Sequence, residues 1–269
     1  MTIVRRHQAP DRRWVLAVPL IILILVAVAG LVRQRLAQPS APPLGAAPSP
    51  SPASSTPTPP RTFLKTDPVR LVGPVPARGQ RTFGYATGRG KVLGYAGPVR
   101  RFKVAVERGS DEDPNAFAAA VESTLGDPRS WIGNRELRLQ RVGGAEPSDF
   151  VIYLTTRDTA AAMCAAGGLD IRDRGQPYTS CRTTARVIIN LDRWRLSAAP
   201  YVAAKVPLTT YRQYVINHEV GHELGQGHQD CPQRGAAAPV MVQQTLSLRG
   251  CVPYAWPRRA NRPYAGRGI

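Results

Sequence analysis

Three of the chain's four histidines fall within eleven residues, His218, His222 and His228, in the pattern H-E-x-x-H-x-x-G-x-x-H. This stretch constrains the fold more than any other. On an α-helix, residues i and i+4 share a face one turn apart. His218 and His222 can therefore aim two imidazoles at one ion only if the segment before and through them is helical. Glu219 then stands beside that ion as a candidate general base. Gly225 supplies the left-handed backbone with which a helix commonly ends, and the chain returns with His228 as a third ligand. Three protein ligands with one open position are the arrangement of a catalytic Zn2+ ion, whereas structural zinc is usually closed by four. The fourth histidine, His7, lies far away in sequence, and no competing cluster exists. A run of buried core histidines is a poor alternative, since each imidazole would need its own polar partner.

A helix is expected here without the motif. Thr210 and Gln213 form a capping-box pattern, which places the start at Thr209 or Thr210. Tyr211, Tyr214 and Val215 then carry the apolar face towards the histidines. Glu223, next to His222, is expected to face a cation or solvent rather than the metal.

The rest of the chain reads as delivery and support. Residues 1–14 are polar and basic. Residues 15–32 form an uncharged apolar run just long enough to span a bilayer. The arginines before it favour an inside N-terminus and an exported remainder. A single-pass signal anchor is the preferred reading, because the apolar run continues past the A-x-A-like site at residues 27–29. A cleaved signal peptide, giving a secreted form, is the alternative. Arg12-Arg13 matches a twin-arginine signal only weakly. Residues 33–62 are dominated by Pro, Ser and Ala, with nine prolines between 37 and 62, and cannot bury enough apolar surface to fold. They are expected to be a disordered linker. A folded domain over 63–257 and a basic C-terminal tail over 258–269 complete the plan.

Charge follows the same divisions. The formal net charge of +18 is distributed as +6 over 1–62, +8 over 63–257 and +4 over the last twelve residues. A moderately basic, scattered surface is the plain reading, with attraction to an anionic envelope component the sharper one. No nucleic-acid-binding signature is present, and a monomer is expected.

Within the domain, 91–96 and 99–107 read as strands joined by a Gly97-Pro98 turn, a possible hairpin. Asp113-Pro114 caps a helix to Leu125. Residues 137–142 and 150–155 are two further strands, 156–164 a short helix and 186–191 a buried strand. This order suits an α+β domain with a mixed sheet. Four cysteines, Cys164, Cys181, Cys231 and Cys251, argue for disulfides in an exported chain. Three pairings are possible, and the two local closures, Cys164–Cys181 and Cys231–Cys251, are preferred. A Cys231 thiolate on the metal is the alternative.

The extended motif resembles that of the metzincin metallopeptidases. In that family a tight turn after the third histidine sets a methionine beneath the metal, and Pro239-Val240-Met241-Val242 fits this Met-turn. The resemblance implies a zincin-like domain with an active-site helix, one zinc ion, and peptide-bond hydrolysis with Glu219 as general base. Residues 63–257 also resemble an actinobacterial family of exported, often membrane-anchored proteins of unknown function. That likeness rests on N-H-E-V-G-H at 217–222, G-x-G-H at 225–228, Cys231-Pro232, P-V-M at 239–241 and the G-C-x-P-x-x-W run ending at Trp256. Gln229 and Asp230 after the third histidine assign no metzincin subgroup. Gln243 leaves vacant the place of a tyrosine ligand, and Tyr254 is a candidate to replace it. The implied activity is a zinc-dependent endopeptidase of the cell envelope acting on a peptide or protein substrate. A non-catalytic metal-binding envelope protein and a zinc amidase or peptidase acting on peptidoglycan are the rival readings.

Overall fold

The computed structural model describes residues 67–269. The expected anchor at 15–32 and linker at 33–62 lie outside the described residues. Among those described, no helix is long and apolar enough to cross a membrane.

The fold is α+β, built on a mixed sheet. Its first strands are β1 (Phe83–Tyr85), β2 (Val92–Leu93) and β3 (Val99–Glu107). Helix α1 (Pro114–Leu125) follows, with Asp113 accepting from Ala116 N at 2.7 Å and Pro114 in its first turn, as the sequence predicts. A 3-10 turn (Trp131–Asn134) leads to β4 (Arg138–Arg141) and β5 (Phe150–Thr155), then to α2 (Arg157–Ala166). A small hairpin of β6 (Arg172–Asp173) and β7 (Gln176–Pro177) precedes β8 (Cys181–Thr183) and β9 (Arg186–Asn190). Helices α3 (Leu191–Leu196), α4 (Ala199–Ala203) and α5 (Leu208–Glu223) come next, and the hairpin β10 (Arg258–Arg259) and β11 (Arg262–Pro263) lies near the end.

The sheet runs β2-β4-β3-β5-β9-β8, with β1 also on β3. The four central strands pair in parallel, and β1, β2 and β8 are antiparallel additions. Alternation in β9 shows how the layers form. Val187 and Ile189 point into the main core with Phe102, Val104, Phe150 and Ile152, beneath α1 and α5. Ile188 points the other way, into a smaller cluster with Ala160 and Cys164 of α2.

The expected hairpin of 91–96 with 99–107 does not form. Strand β2 shrinks to two residues and pairs with β4, because both edges of β3 are taken by parallel partners. Gly97, at φ +91, instead lets the chain pass close to Glu136 and Leu137: a Cβ there would fall 2.2 Å from the Glu136 carbonyl oxygen. Residues 258–269 are not a tail apart from the domain. Asp230 N donates to Arg267 O at 2.8 Å, Ile269 N to His228 O at 3.1 Å, and Gln229 forms a bridge with Gly268. The backbone of 228–230 needs hydrogen-bond partners, and this segment provides them.

Both local disulfides are present. Cys164–Cys181 joins α2 to β8, and Cys231–Cys251 closes the loop after His228, with Cα separations of 6.2 and 5.8 Å. Cys231, bonded to Cys251, therefore has no thiolate to offer a metal.

Candidate metal centre

Helix α5 starts one or two residues earlier than expected and without the capping box. Pro207 precedes it, and no side chain of the helix's own first turn caps it. Its first amides find distant partners: Leu208 N donates to Pro68 O at 2.8 Å and Thr209 N to Asp67 Oδ2 at 3.2 Å. A carboxylate there also opposes the positive end of the helix dipole. The other end behaves as expected. Gly225, at φ +88, lets Gln226 N reach back to Gly221 O and Gly225 N to His222 O, so the helix closes in a Schellman motif.

Along α5, Tyr211 and Tyr214 are fully buried and meet Tyr201 of α4 with ring centroids 5.0 and 5.6 Å away. Their hydroxyls reach beyond the helix. Tyr214 donates to Val242 O at 3.0 Å, Tyr201 to Gln244 Oε1 at 2.8 Å, and Tyr211 pairs with Thr245 Oγ1 at 3.0 Å. Helices α4 and α5 together thus grip the segment after Met241 through three phenols.

That segment is the floor of the centre. Residues 239–242 turn tightly, with Val242 N on Pro239 O. Val240 O faces His218 Nδ1 at 2.8 Å, and Met241 O accepts from Gln229 N at 3.1 Å. Met241 is buried against α5 at Gly221, where a Cβ would lie 2.6 Å from both Met241 Sδ and Trp131 Cζ2. The indole is itself fixed by its Nε1, which donates to Asn217 O at 3.0 Å.

The three imidazoles converge. His222 Nε2 lies 3.2 Å from His218 Nε2 and 3.0 Å from His228 Nε2, and the three candidate ligand atoms all lie within 4.8 Å of one another. A carbonyl oxygen can only accept, so His218 Nδ1 carries its proton towards Val240 O. His222 Nδ1 does the same towards Gln226 O at 2.8 Å. The Nε2 lone pairs of these neutral rings therefore point at one another. Burial pushes the His218 ring down to about 3, with His222 adding to the effect, and burial lowers His222 and His228 as well. A tetrahedral zinc ion with nitrogens at 2.0–2.1 Å would set them about 3.3 Å apart, close to the separations here. The donor set fits a metal ion.

Glu219 is 5 % exposed and lines the same cavity, of about 460 Å³, as His218, His222 and His228. No hydrogen-bond partner for its carboxyl is found among the described residues, and burial pushes it up to about 8. Tyr254 does not come to the centre: its hydroxyl donates to Arg258 O at 2.7 Å. Gln243 does line the cavity.

Several groups that hold the site are not legible in the sequence. Val240 O and Gln226 O orient two of the rings, and backbone atoms leave no trace in residue type. Asn217 is fully buried, accepting from Ser130 Oγ at 2.7 Å and donating to Ala255 O at 3.0 Å. A polar residue on the inward side of an otherwise apolar helical turn could have signalled it. Glu223, expected to face a cation or solvent, is buried in an ion pair with Arg100 and Arg182; Arg182, which the sequence did not single out, lines the cavity.

A family model described as "Protein of unknown function (DUF3152)" matches residues 71–255. No curated protein and no solved structure matches the chain significantly.

Proposed function

Starting from the chain's membership of the DUF3152 family of proteins of unknown function, we propose that it is a zinc-dependent endopeptidase with a metzincin-like centre. One observation carries the reading. Two imidazoles locked by backbone carbonyls turn their Nε2 atoms onto a third, with a buried, unpartnered carboxyl lining the same cavity. His218, His222 and His228 would hold the ion, and all-imidazole donors favour zinc among the available metals. When bound, zinc supplies Lewis acidity and makes hydroxide accessible near neutral pH.

The chain's own residues supply the remainder. Glu219 accepts a proton from the water as its oxygen bonds to the carbonyl carbon, then gives that proton to the amine nitrogen, and the C–N bond breaks. Val240 O and Gln226 O keep the two rings in one tautomer. Met241 fills the space under Gly221, the part a Met-turn plays. Two disulfides support action in an oxidising compartment outside the cytoplasm, as a cell-envelope enzyme requires.

The deciding experiment uses the purified full chain with a peptide library and with purified wall material, as isolated, after chelation and after zinc is restored. Cleavage of peptides that stops with chelator and returns with zinc is expected. Cleavage of wall material alone would move the substrate to peptidoglycan. Metal binding with no hydrolysis of either would leave a binding protein.

A further inference from the structure

Arg182 sits on β8, at the edge of the sheet, with its side chain 34 % exposed, and lines the cavity shared by His218, Glu219 and His222. Its Nε donates to Glu223 Oε2 at 2.7 Å. The Glu223 side chain is only 4 % exposed. Its other oxygen accepts from Arg100 Nη2 at 2.9 Å, while Arg100 Nη1 reaches the Glu223 carbonyl at 3.3 Å. Two guanidinium groups therefore share one carboxylate, and one positive charge is left over.

The surplus is placed at the cavity. Arg100 uses both terminal nitrogens on Glu223, whereas Arg182 uses only Nε. Its two terminal nitrogens have no acceptor among the described residues. Asp170, the other acid on the wall besides Glu219, is already held by Arg172 through Nε and Nη2 at 2.9 and 2.8 Å. An arginine anchored through Nε still offers a planar pair of donors that matches a carboxylate. Because the anchor fixes its direction, little side-chain freedom is lost on binding.

We propose that Arg182 receives a carboxylate of the substrate, so that the preferred substrate is a peptide with an acidic residue next to the bond that is cut. The proposal rests on the peptidase reading of the cavity for what is cut, and on the Arg100–Glu223–Arg182 arrangement for what is chosen. A purely structural Arg182 would clasp the end of α5 and affect all substrates alike.

The test uses two peptides identical except for Glu or Gln beside the scissile bond. Two quantities are measured on the zinc-loaded full chain: kcat/KM, and binding to the Glu219→Gln variant by fluorescence anisotropy. The Glu peptide should be favoured by about tenfold or more, the usual advantage of a charge-assisted pair. Arg182→Gln should bring that ratio close to one, and Arg182→Lys should restore part of it. Glu223 keeps Arg100 in both variants, so the helix end stays clasped. Tighter, Arg182-dependent binding of the Glu peptide without cleavage of either would sink the peptidase reading while leaving the carboxylate site standing. Equal binding of the two peptides, or a preference that survives Arg182→Gln, overturns the proposal.

Discussion

His218 Nδ1 lies 2.8 Å from the carbonyl oxygen of Val240, a residue twenty-two positions later in the chain. Through that contact the turn carrying Met241 sets the proton on the ring and leaves Nε2 free for a metal. The adjoining carbonyl, Met241 O, holds Gln229, which directly follows the third histidine. One turn thus locates two of the three ligands.

Roles within the motif separate cleanly by substitution. His228→Ala should lower zinc affinity by an order of magnitude or more, the lower end of what even outer partners of a metal site are worth. Glu219→Gln should leave zinc content near one ion per chain while abolishing hydrolysis. Metal analysis and peptide turnover on the same samples check both. Full activity in the Gln variant would refute the role given to Glu219.

The metal-free protein should show an alkaline weakness that zinc hides. Burial raises the Glu219 carboxyl from 4.5 to about 8. A pKa raised by folding gives stability that is complete below the unfolded value and lost as pH rises through the folded one. His218 works in the opposite sense. Lowered from 6.5 to about 3, it contributes above 6.5 and loses that contribution as pH falls towards 3. Chelated Glu219→Gln should therefore melt higher than the chelated native chain around pH 8, by on the order of 2–4 kcal/mol. The two should converge below 4.5. Thermal melts at both ends of this range decide it.

Gly221→Ala should destabilise the domain by about 1–3 kcal/mol, since overpacking a tight contact carries that cost. The added methyl meets Met241 Sδ, which can move, and the Trp131 ring, which is held by Asn217. Calorimetry of Gly221→Ala with and without Met241→Ala should show only partial relief. Complete relief would mean that the indole is not a fixed wall.

The start of α5 offers a paired test. Asp67→Ala removes the side chain that caps Thr209 N and should cost roughly 1 kcal/mol. Thr210→Ala should cost much less, because the Thr210–Gln213 box is not formed. Denaturant midpoints of the two variants settle which residue is the cap.

Opening Cys231–Cys251 by a double Ser substitution should lower stability by about 3 kcal/mol. Zinc affinity should also fall, since the loop so closed follows His228. Unchanged metal affinity would show that residues 266–269 suffice to hold that strand.

Strands β5 and β9, helix α1 and the course of α5 were legible in the sequence because each carries its own period or cap. Asp113 and Pro114 state where α1 begins, and Gly225 states where α5 ends. The hairpin expected from 91–96 and 99–107 is absent because pairing is decided by whichever strands compete for an edge, and β4 and β5 lie far along the chain from β3. The cap of α5 was misread for a similar reason: Asp67 is 142 residues away from Thr209. Helices α3 and α4 were passed over, being too short to show a period. At the centre, the ligands and Glu219 could be read from spacing, but the carbonyls that orient them could not.

The clasp between residues 266–269 and the backbone of His228–Asp230 has a meaning in time as well as in space. A chain made N-terminus first presents His218 and His222 before the turn at 239–242 exists, and that turn before its clasp. Two imidazoles on a bare helix bind metal weakly and loosely. The docking of the last of these segments adds to the hold that Met241 O already has on Gln229, beside the third ligand. If the proposed function holds, a chain in which that clasp is not yet made would lack a firmly held third ligand, and so would be less able to cut its neighbours.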